Sequence, residues 1–527
     1  MRVLLFILRV LFIRVGMTFR VPPEVRQPDE SWRVANTYLF GGLRIPVRFA
    51  EFNTCLSGGI GTGKTTALIA LMVSRIQGLI ESGKPFNVHC FTPRPNDFFP
   101  LLKVLFEPLG LSVRATNPFI TDSWAWDGSL DLCTSPSIDE LTTIVIKDDG
   151  KDASPFFKRA AALILKGVVL SLATNSPGIW RMKHVVSILR DVELIKETLG
   201  QTEQTKHLVS LLSEGQGHTA ANLHATLLAE LKGLELIAAL IDDTLDDRRF
   251  SIRDAANKSG IIWVHGSDPR YASTIEPWNG VQFELLSHEL LIRGDIGVET
   301  CLFIDEFTQL GGGVKLTCIR KLLEYGRANR VRCVLAVQTP AQVVSIYGEH
   351  EAETILGQCH CFIVFKHSDN FGRTFWSRRF GQEKGFEEKH ARATQTGGGQ
   401  STGQSPSRNT NWSVTDTVSI ERFDLPRVPE EDIGNLPVGS YEVGMFGYAC
   451  IPMSEELDPK TGFPEPLRWK FRLTPEWIAL NVPRPGAFVP YEKSLKPVSS
   501  YTMDALEPWE FTLLGLTEPK AAAETTP

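Results

Sequence analysis

The stretch 55-CLSGGIGTGKTT-66 decides how the chain is read, because Gly58 to Thr65 fit the pattern G-x-x-x-x-G-K-[ST]. Glycines are needed in such a loop so that backbone N–H groups can turn inward and approach phosphate oxygens closely. The residues assigned to nucleotide binding are therefore Gly58, Gly59, Ile60, Gly61, Thr62, Gly63, Lys64, Thr65 and Thr66. Lys64 is expected to reach the β- and γ-phosphates, and the Thr65 hydroxyl to ligate Mg²⁺. The apolar run Phe52 to Leu56 precedes the loop, and Thr65 to Ile80 follows with helical periodicity. That strand–loop–helix context is the one the motif requires, and the helix adds its N-terminal dipole.

A phosphate loop of this kind needs a second strand that carries a carboxylate. CLFIDEF (Cys301 to Phe307) supplies one: four apolar residues ending in Asp305 and Glu306. Asp305 is assigned to the Mg²⁺ shell, and Glu306 to polarising the attacking water as general base. The two motifs are far apart along the chain, 305 − 64 = 241 residues. Next comes VRCVLAVQTPAQ, an apolar strand ending in Gln338, where RecA-like motors place a sensor of the γ-phosphate. Upstream, YGRANRVR holds Arg327, Arg330 and Arg332, and Arg327 is the candidate for an arginine finger that offsets transition-state charge from a neighbouring subunit. A solvated helix-end arginine is the competing reading of the same residue.

Elsewhere, short apolar runs alternate with helical patterns. Phe86 to Phe91, Leu111 to Arg114, Gly260 to His265, Thr300 to Ile304, Arg332 to Val337 and Cys361 to Phe365 read as strands. Val281 to Ile292, Leu316 to Tyr325 and Ala341 to Gly348 read as helices between them. Alternation of this kind predicts an α/β fold with a mostly parallel central sheet covered on both faces, which with the glycine loop reads as a P-loop NTPase. Residues 155–250 differ, with helical periodicity and little strand signal, and predict an inserted all-α domain. The nucleotide-binding domain is thus split into 21–150 and 255–385, with closing strands in 420–450. Residues 393–411, ATQTGGGQSTGQSPSRNTN, lack apolar content and read as a flexible linker. The region 451–527 is punctuated by proline and ends in a tail, AAAETTP, expected to be disordered.

Composition excludes little. With 55 basic and 61 acidic residues, a strongly basic mode of nucleic-acid binding is ruled out, while a local basic channel is not. Nine cysteines without a C-x-x-C pair fit a reduced, cytoplasmic compartment better than a disulfide framework. Cys359 and Cys361 flank His360 where alternate side chains point to opposite faces, which disfavours a metal site there. Residues 1–20 are a short hydrophobic segment, apolar from Val3 to Phe19 except for Arg9 and Arg14. Each central arginine costs roughly 2.5–3.5 kcal/mol on the insertion scale. Three readings stay open: an interfacial helix, the remnant of a longer anchor, or a start at Met17.

The block FIDEFTQLGGGVKLTCIRKLLEYGRANRVRCVLAVQTPAQVVSIYGEHEAETILGQCHCFIVFKHSD resembles the type IV secretion coupling proteins, the ATPases of conjugation. The ordered series is the carboxylate strand, the Y-G-R turn, the strand ending at Gln338, Ile346-Tyr347-Gly348 and Ala352 to Gly357. PEEDIGNLPVGSYEV, Pro429 to Val443, resembles the family's closing segment. The resemblance implies a RecA-like motor with an inserted all-α domain, ATP as substrate, Mg²⁺ as cofactor, a homohexameric ring and Arg327 acting in trans. It also implies delivery of DNA with its relaxase (the relaxosome) to a type IV secretion channel at the cytoplasmic face of the inner membrane. The chain departs from the family pattern in its one short, arginine-broken hydrophobic segment, which leaves membrane association open. It departs again in TPRPND, Thr92 to Asp97, where the family often carries an acidic glycine turn.

Two other functions fit parts of the sequence: a cytosolic DNA-pumping ATPase unconnected with secretion, and a nucleotide-dependent cargo adaptor acting through the all-α domain. For DNA contact, HSDNFGRTFWSRRFG (His367 to Gly381) interleaves aromatics with arginines, as suits single-stranded nucleic acid. The spacing of Phe371 with Phe375 and of Trp376 with Phe380 equally describes a buried helix face, the reading preferred here.

Overall fold

Phe86–Thr92 and Val331–Val337 are apolar along most of their length, and every residue in both is buried. Strands of that kind belong in the middle of a parallel sheet covered on both faces. The computed structural model describes residues 37–40, 43–46, 52–147, 155–213, 217–400, 403, 408–440, 442–451, 467–476, 478 and 495–518. The hydrophobic segment 1–20 and the tail from 519 lie outside the described residues.

Strands are numbered β1 (Thr54–Ser57), β2 (Phe86–Thr92), β3 (Ser112–Ala115), β4 (Ile261–Gly266), β5 (Glu299–Ile304), β6 (Val331–Val337), β7 (Cys361–Val364), β8 (Gln382–Gln400), β9 (Arg408–Pro426), β10 (Met445–Ile451) and β11 (Leu467–Leu473). The nine-stranded sheet runs β11-β10-β7-β1-β6-β5-β2-β4-β3. Its seven strands from β7 to β3 are parallel, and β10 and β11 close one edge antiparallel. One strand, β6, therefore separates β1 from β5. All three point their C-terminal ends the same way, which brings Gly58, Gln338 and Asp305 to a single edge.

Helices are numbered α1 (Lys64–Ser82), α2 (Pro95–Phe106), α3 (Ser135–Val145), α4 (Pro155–Asn175), α5 (Met182–Arg190), α6 (Val192–Gly200), α7 (Gly217–Asp242), α8 (Ala272–Ile292), α9 (Ile319–Tyr325), α10 (Pro340–Tyr347), α11 (Glu349–Gly357) and α12 (Asn370–Phe380). Alternation along β6 sorts the sheet's two faces. Val334 and Ala336 join α1 and α2 in one core, whereas Cys333, Leu335 and Val337 join α8 and α9 in the other. The second core continues into α4 to α7, so the helical insertion shares its apolar interior with the sheet. Each fully buried leucine or valine in such a core contributes about 1.5–3 kcal/mol relative to exposure.

Three expectations are revised. Residues 393–411 do not read through as a linker: 393–400 and 408–411 are the distal ends of β8 and β9, paired as a hairpin. Nineteen residues per strand give it a span of about 60 Å. A two-stranded ribbon satisfies its inner backbone groups through its own ladder, so apolar content is not required for the pairing. Helix α8 starts at Ala272 rather than Val281, accommodating Pro277 in its second turn. The closing strands extend past 450, because β11 lies at 467–473. Residues 495–518, within the proline-punctuated region, pack on the helical insertion: Glu510 is buried and meets His184 at 3.1 Å and Lys183 at 3.2 Å on α5. All nine cysteines are free.

The second core also buries imidazoles. His89 Nδ1 lies 3.1 Å from His265 Nε2, and Phe91 stacks on His265 with centroids 4.1 Å apart. Burial lowers His265 to about 3 and holds His89 well below its ordinary value. Because both folded values are depressed, the stability they contribute is present above about pH 6.5 and lost as pH falls below it. Unfolding free energies from urea titrations should drop between pH 6.5 and 5.5, by up to about 1.4 kcal/mol per histidine per pH unit, and less steeply in His265→Gln.

Candidate nucleotide-hydrolysis site

The loop after β1 folds over the end of the sheet. Gly58 N–H donates to Val337 O at 3.2 Å, and Gly59 N–H donates to Lys366 O at 2.9 Å. A side chain at Gly58 would place its Cβ 2.6 Å from Cβ of Phe365, so no other residue fits there without displacement. Gly63 has φ 93°, and a Cβ there would collide with Met445 of β10. The loop is thus held against the sheet on one side and the closing strand on the other. Ile60 and Gly61 at its crest are exposed, Thr62 is buried and donates to Gly59 O at 2.8 Å, and Thr65 and Thr66 are half-buried on the first turn of α1.

Lys64 is 5% exposed, and its Nζ lies 3.1 Å from Oε1 of Glu306. Glu306 reaches back because it adopts φ 50°, a left-handed conformation that costs a non-glycine residue of order 1 kcal/mol. Strain of that kind persists where the surroundings demand it, here directly beyond β5. The two motifs separated by 241 positions therefore meet in space.

Asp305 is anchored through its N–H to Phe91 O at 2.8 Å and accepts from Thr92 Oγ1 at 3.4 Å. Burial, reinforced by the charge of Glu306, raises its carboxyl to about 6. Oδ1 of Asp305 and Oε2 of Glu306 are buried without a hydrogen-bond partner. Two orphaned acidic oxygens beside a phosphate loop are what a divalent cation would satisfy, so the donor set fits Mg²⁺ held by Asp305 and Thr65.

Gln338 follows β6 at the same edge, between the phosphate loop and Asp305, and accepts from Gln342 Nε2 at 3.4 Å. Arg327 is placed elsewhere. It precedes β6, at the opposite end of a strand about 20 Å long, with its guanidinium 4.7 Å from the centre of the Phe52 ring. It cannot reach the site of its own chain.

Several residues around the site were not legible as functional. Thr92 and Arg94, in the turn to which no role was given, face the acidic pair, with Arg94 Nη2 3.9 Å from Glu306. Behind the loop, Ser57 Oγ accepts from Trp376 Nε1 at 2.9 Å and lies 3.0 Å from His367 Nε2. Asp369 joins His367 Nδ1 at 3.3 Å and accepts from Thr339 Oγ1 at 2.8 Å. This chain links the base of the phosphate loop to the residue after Gln338. The only signal for it was Asp369 at the N-cap of α12. Trp376 and Phe380 are fully buried while Phe371 is exposed, so this helix is mainly a core element. Glu276 opens into the cleft lined by Thr92, Asp305 and Glu306, its carboxyl raised to about 7 by burial against the opposing influence of Lys147.

Residues 114–437 match the family described as the type IV secretion-system coupling protein DNA-binding domain. Among solved structures, the bacterial conjugative coupling protein TrwBdeltaN70 aligns at TM-score 0.58 and 16% identity, covering 85% of this chain and 90% of its own. The plasmid coupling protein TrwB in complex with the GTP analogue GDPNP aligns at TM-score 0.59 and 16% identity, with 85% and 91% covered. TrwB in complex with ADP and Mg²⁺ aligns at 0.58 and 16%, over the same shares. These likenesses concern the fold. No curated protein matches the chain by sequence.

Proposed function

This chain belongs to the type IV secretion-system coupling-protein family, and from that premise we propose that it is an ATP-hydrolysing motor that delivers DNA for conjugation. The observation that carries the reading is the 3.1 Å approach of Lys64 to Glu306 beneath a glycine loop with two unsatisfied acidic oxygens. Without nucleotide, Lys64 neutralises Glu306. An incoming γ-phosphate competes for the lysine and leaves the Glu306 carboxylate to accept a proton from water. Asp305 and Thr65 would hold Mg²⁺, which would supply charge neutralisation at the phosphates. Gln338 lies at the edge where it can report the γ-phosphate to β6 and α10. That TrwB was solved with ADP and Mg²⁺ and with the GTP analogue GDPNP supports nucleotide binding in this reading.

In this reading the protein works as a ring of six, passing DNA, with its relaxase, to a secretion channel. The position of Arg327 on the far side of the sheet suits a finger offered to the next subunit. No helix among the described residues is long and apolar enough to cross a membrane. The adaptor reading is disfavoured by an acidic pair already set for hydrolysis.

Hydrolysis should rise with added single-stranded DNA at low salt and lose that stimulation as salt increases, since phosphate contacts weaken with ionic strength. Turnover indifferent to DNA at low salt would overturn the motor reading. For Arg327, mixtures of the separately inactive Arg327→Ala and Lys64→Ala chains should recover hydrolysis, because some interfaces pair an intact lysine with an intact arginine. Mixtures as inactive as the parents would exclude action in trans.

A further inference from the structure

On the α8 side of the sheet, away from the phosphate loop, three elements converge on a cluster of metal-binding side chains. Glu284 and His288 sit one turn apart on α8, Cys318 is the N-cap of α9, and Glu140 projects from α3. Ligand atoms of Glu284, His288 and Cys318 all lie within 4.8 Å of one another. His288 Nε2 is 3.2 Å from Cys318 Sγ and 3.2 Å from Glu140 Oε1. Around a tetrahedral Zn²⁺ with bonds of about 2.0–2.3 Å, ligand atoms stand about 3.3–3.6 Å apart. His288 already stands at about that distance from Cys318 and from Glu140, while the Glu284, His288 and Cys318 atoms lie within 4.8 Å of one another.

We propose that Glu284, His288, Cys318 and Glu140 form a Zn²⁺ site that staples α3, α8 and the start of α9 together. The ligand set is mixed in the way zinc accepts: one thiolate, one imidazole and carboxylate oxygens. Glu284 and Cys318 are almost wholly buried and His288 is half-exposed, which leaves a path for entry. Without a metal ion the cluster is held by protons, and the hydrogen bond to Glu140 raises His288 above its ordinary value. Burial, with the nearby carboxylates, pushes the Cys318 thiol far up, and burial raises Glu284 despite bonds it accepts from the N–H groups of Thr317 and Cys318. A bound dication would take the place of the thiol and imidazolium protons, releasing them, and balance the carboxylates.

The position gives the site a consequence for the motor. The chain runs from Glu306 through Gly311, Gly312 and Gly313, all at positive φ, to Cys318. Gly311 packs so closely on α8 that a Cβ at Gly280 would lie 2.6 Å from its Cα. Metal at Cys318 therefore fixes the far end of the segment whose near end carries the general base.

The test uses the full-length, untagged protein stripped with chelator and titrated with Co²⁺. One equivalent should bind with intense tetrahedral d–d bands and a sulfur-to-cobalt charge-transfer band, and Zn²⁺ should displace it. Cys318→Ser should abolish the charge-transfer band, while Cys133→Ser, at the exposed cysteine, should leave it intact. His288→Ala should weaken binding by at least about 10–100-fold, the loss that even outer-shell changes produce. Absence of the band in wild type, or a band that follows Cys133, overturns the site. Should Cys318→Ser fail to fold, X-ray absorption on zinc-loaded wild type decides instead: one sulfur scatterer supports the site, none refutes it.

Discussion

Glu306→Gln is expected to lower turnover by about 10²–10⁴-fold, the range for loss of a general base, while nucleotide affinity stays within about threefold of wild type. Glutamine keeps the shape of the side chain and removes its ability to take a proton. Lys64 would then lack its carboxylate partner in the empty site, which if anything favours phosphate binding. Phosphate release and titration with a fluorescent nucleotide separate the two quantities. Turnover near wild type would move the base elsewhere, and Glu276, in the same cleft, is the next carboxylate to test.

Lys64→Ala should be damaging in two separable ways. Losing a positioned cation at the transferring phosphate is expected to cost about 10²–10³-fold in turnover, alongside weaker triphosphate binding. The same change leaves Glu306 buried without its principal partner, and breaking a buried pair typically costs about 3–5 kcal/mol. Arg94, 3.9 Å away and half-exposed, offsets part of that. The double variant Lys64→Ala/Glu306→Gln should therefore regain stability over Lys64→Ala without regaining activity. If the double variant is no more stable than Lys64→Ala in a denaturant titration, the pair is not coupled as the 3.1 Å contact requires.

Much of this molecule was open to reading from its residues. The strands β1, β2, β4, β5, β6 and β7 fall within two residues of their apolar runs, because a strand buried on both faces shows itself as a continuous apolar segment. The phosphate loop and the Asp305–Glu306 pair were equally legible, since their chemistry requires particular residues at particular spacings. The hairpin of β8 and β9 escaped notice for the opposite reason. Its stability resides in backbone pairing, and glycine, serine and glutamine record none of that. The turn Thr92 to Arg94 looked inert because its value comes from β2 lying beside β5.

The sequence by itself singled out the residues of the glycine loop and the acidic pair, and with them the proposed reaction class, because local backbone chemistry calls for particular residues there. Only the tertiary structure decided which strand lies between them, that Arg327 faces away from its own site, and that Ser57, His367 and Asp369 form one hydrogen-bonded chain. It alone also assembled Glu140, Glu284, His288 and Cys318. These residues owe their meeting to the packing of separate helices, and contacts made through packing leave no fixed spacing along the chain.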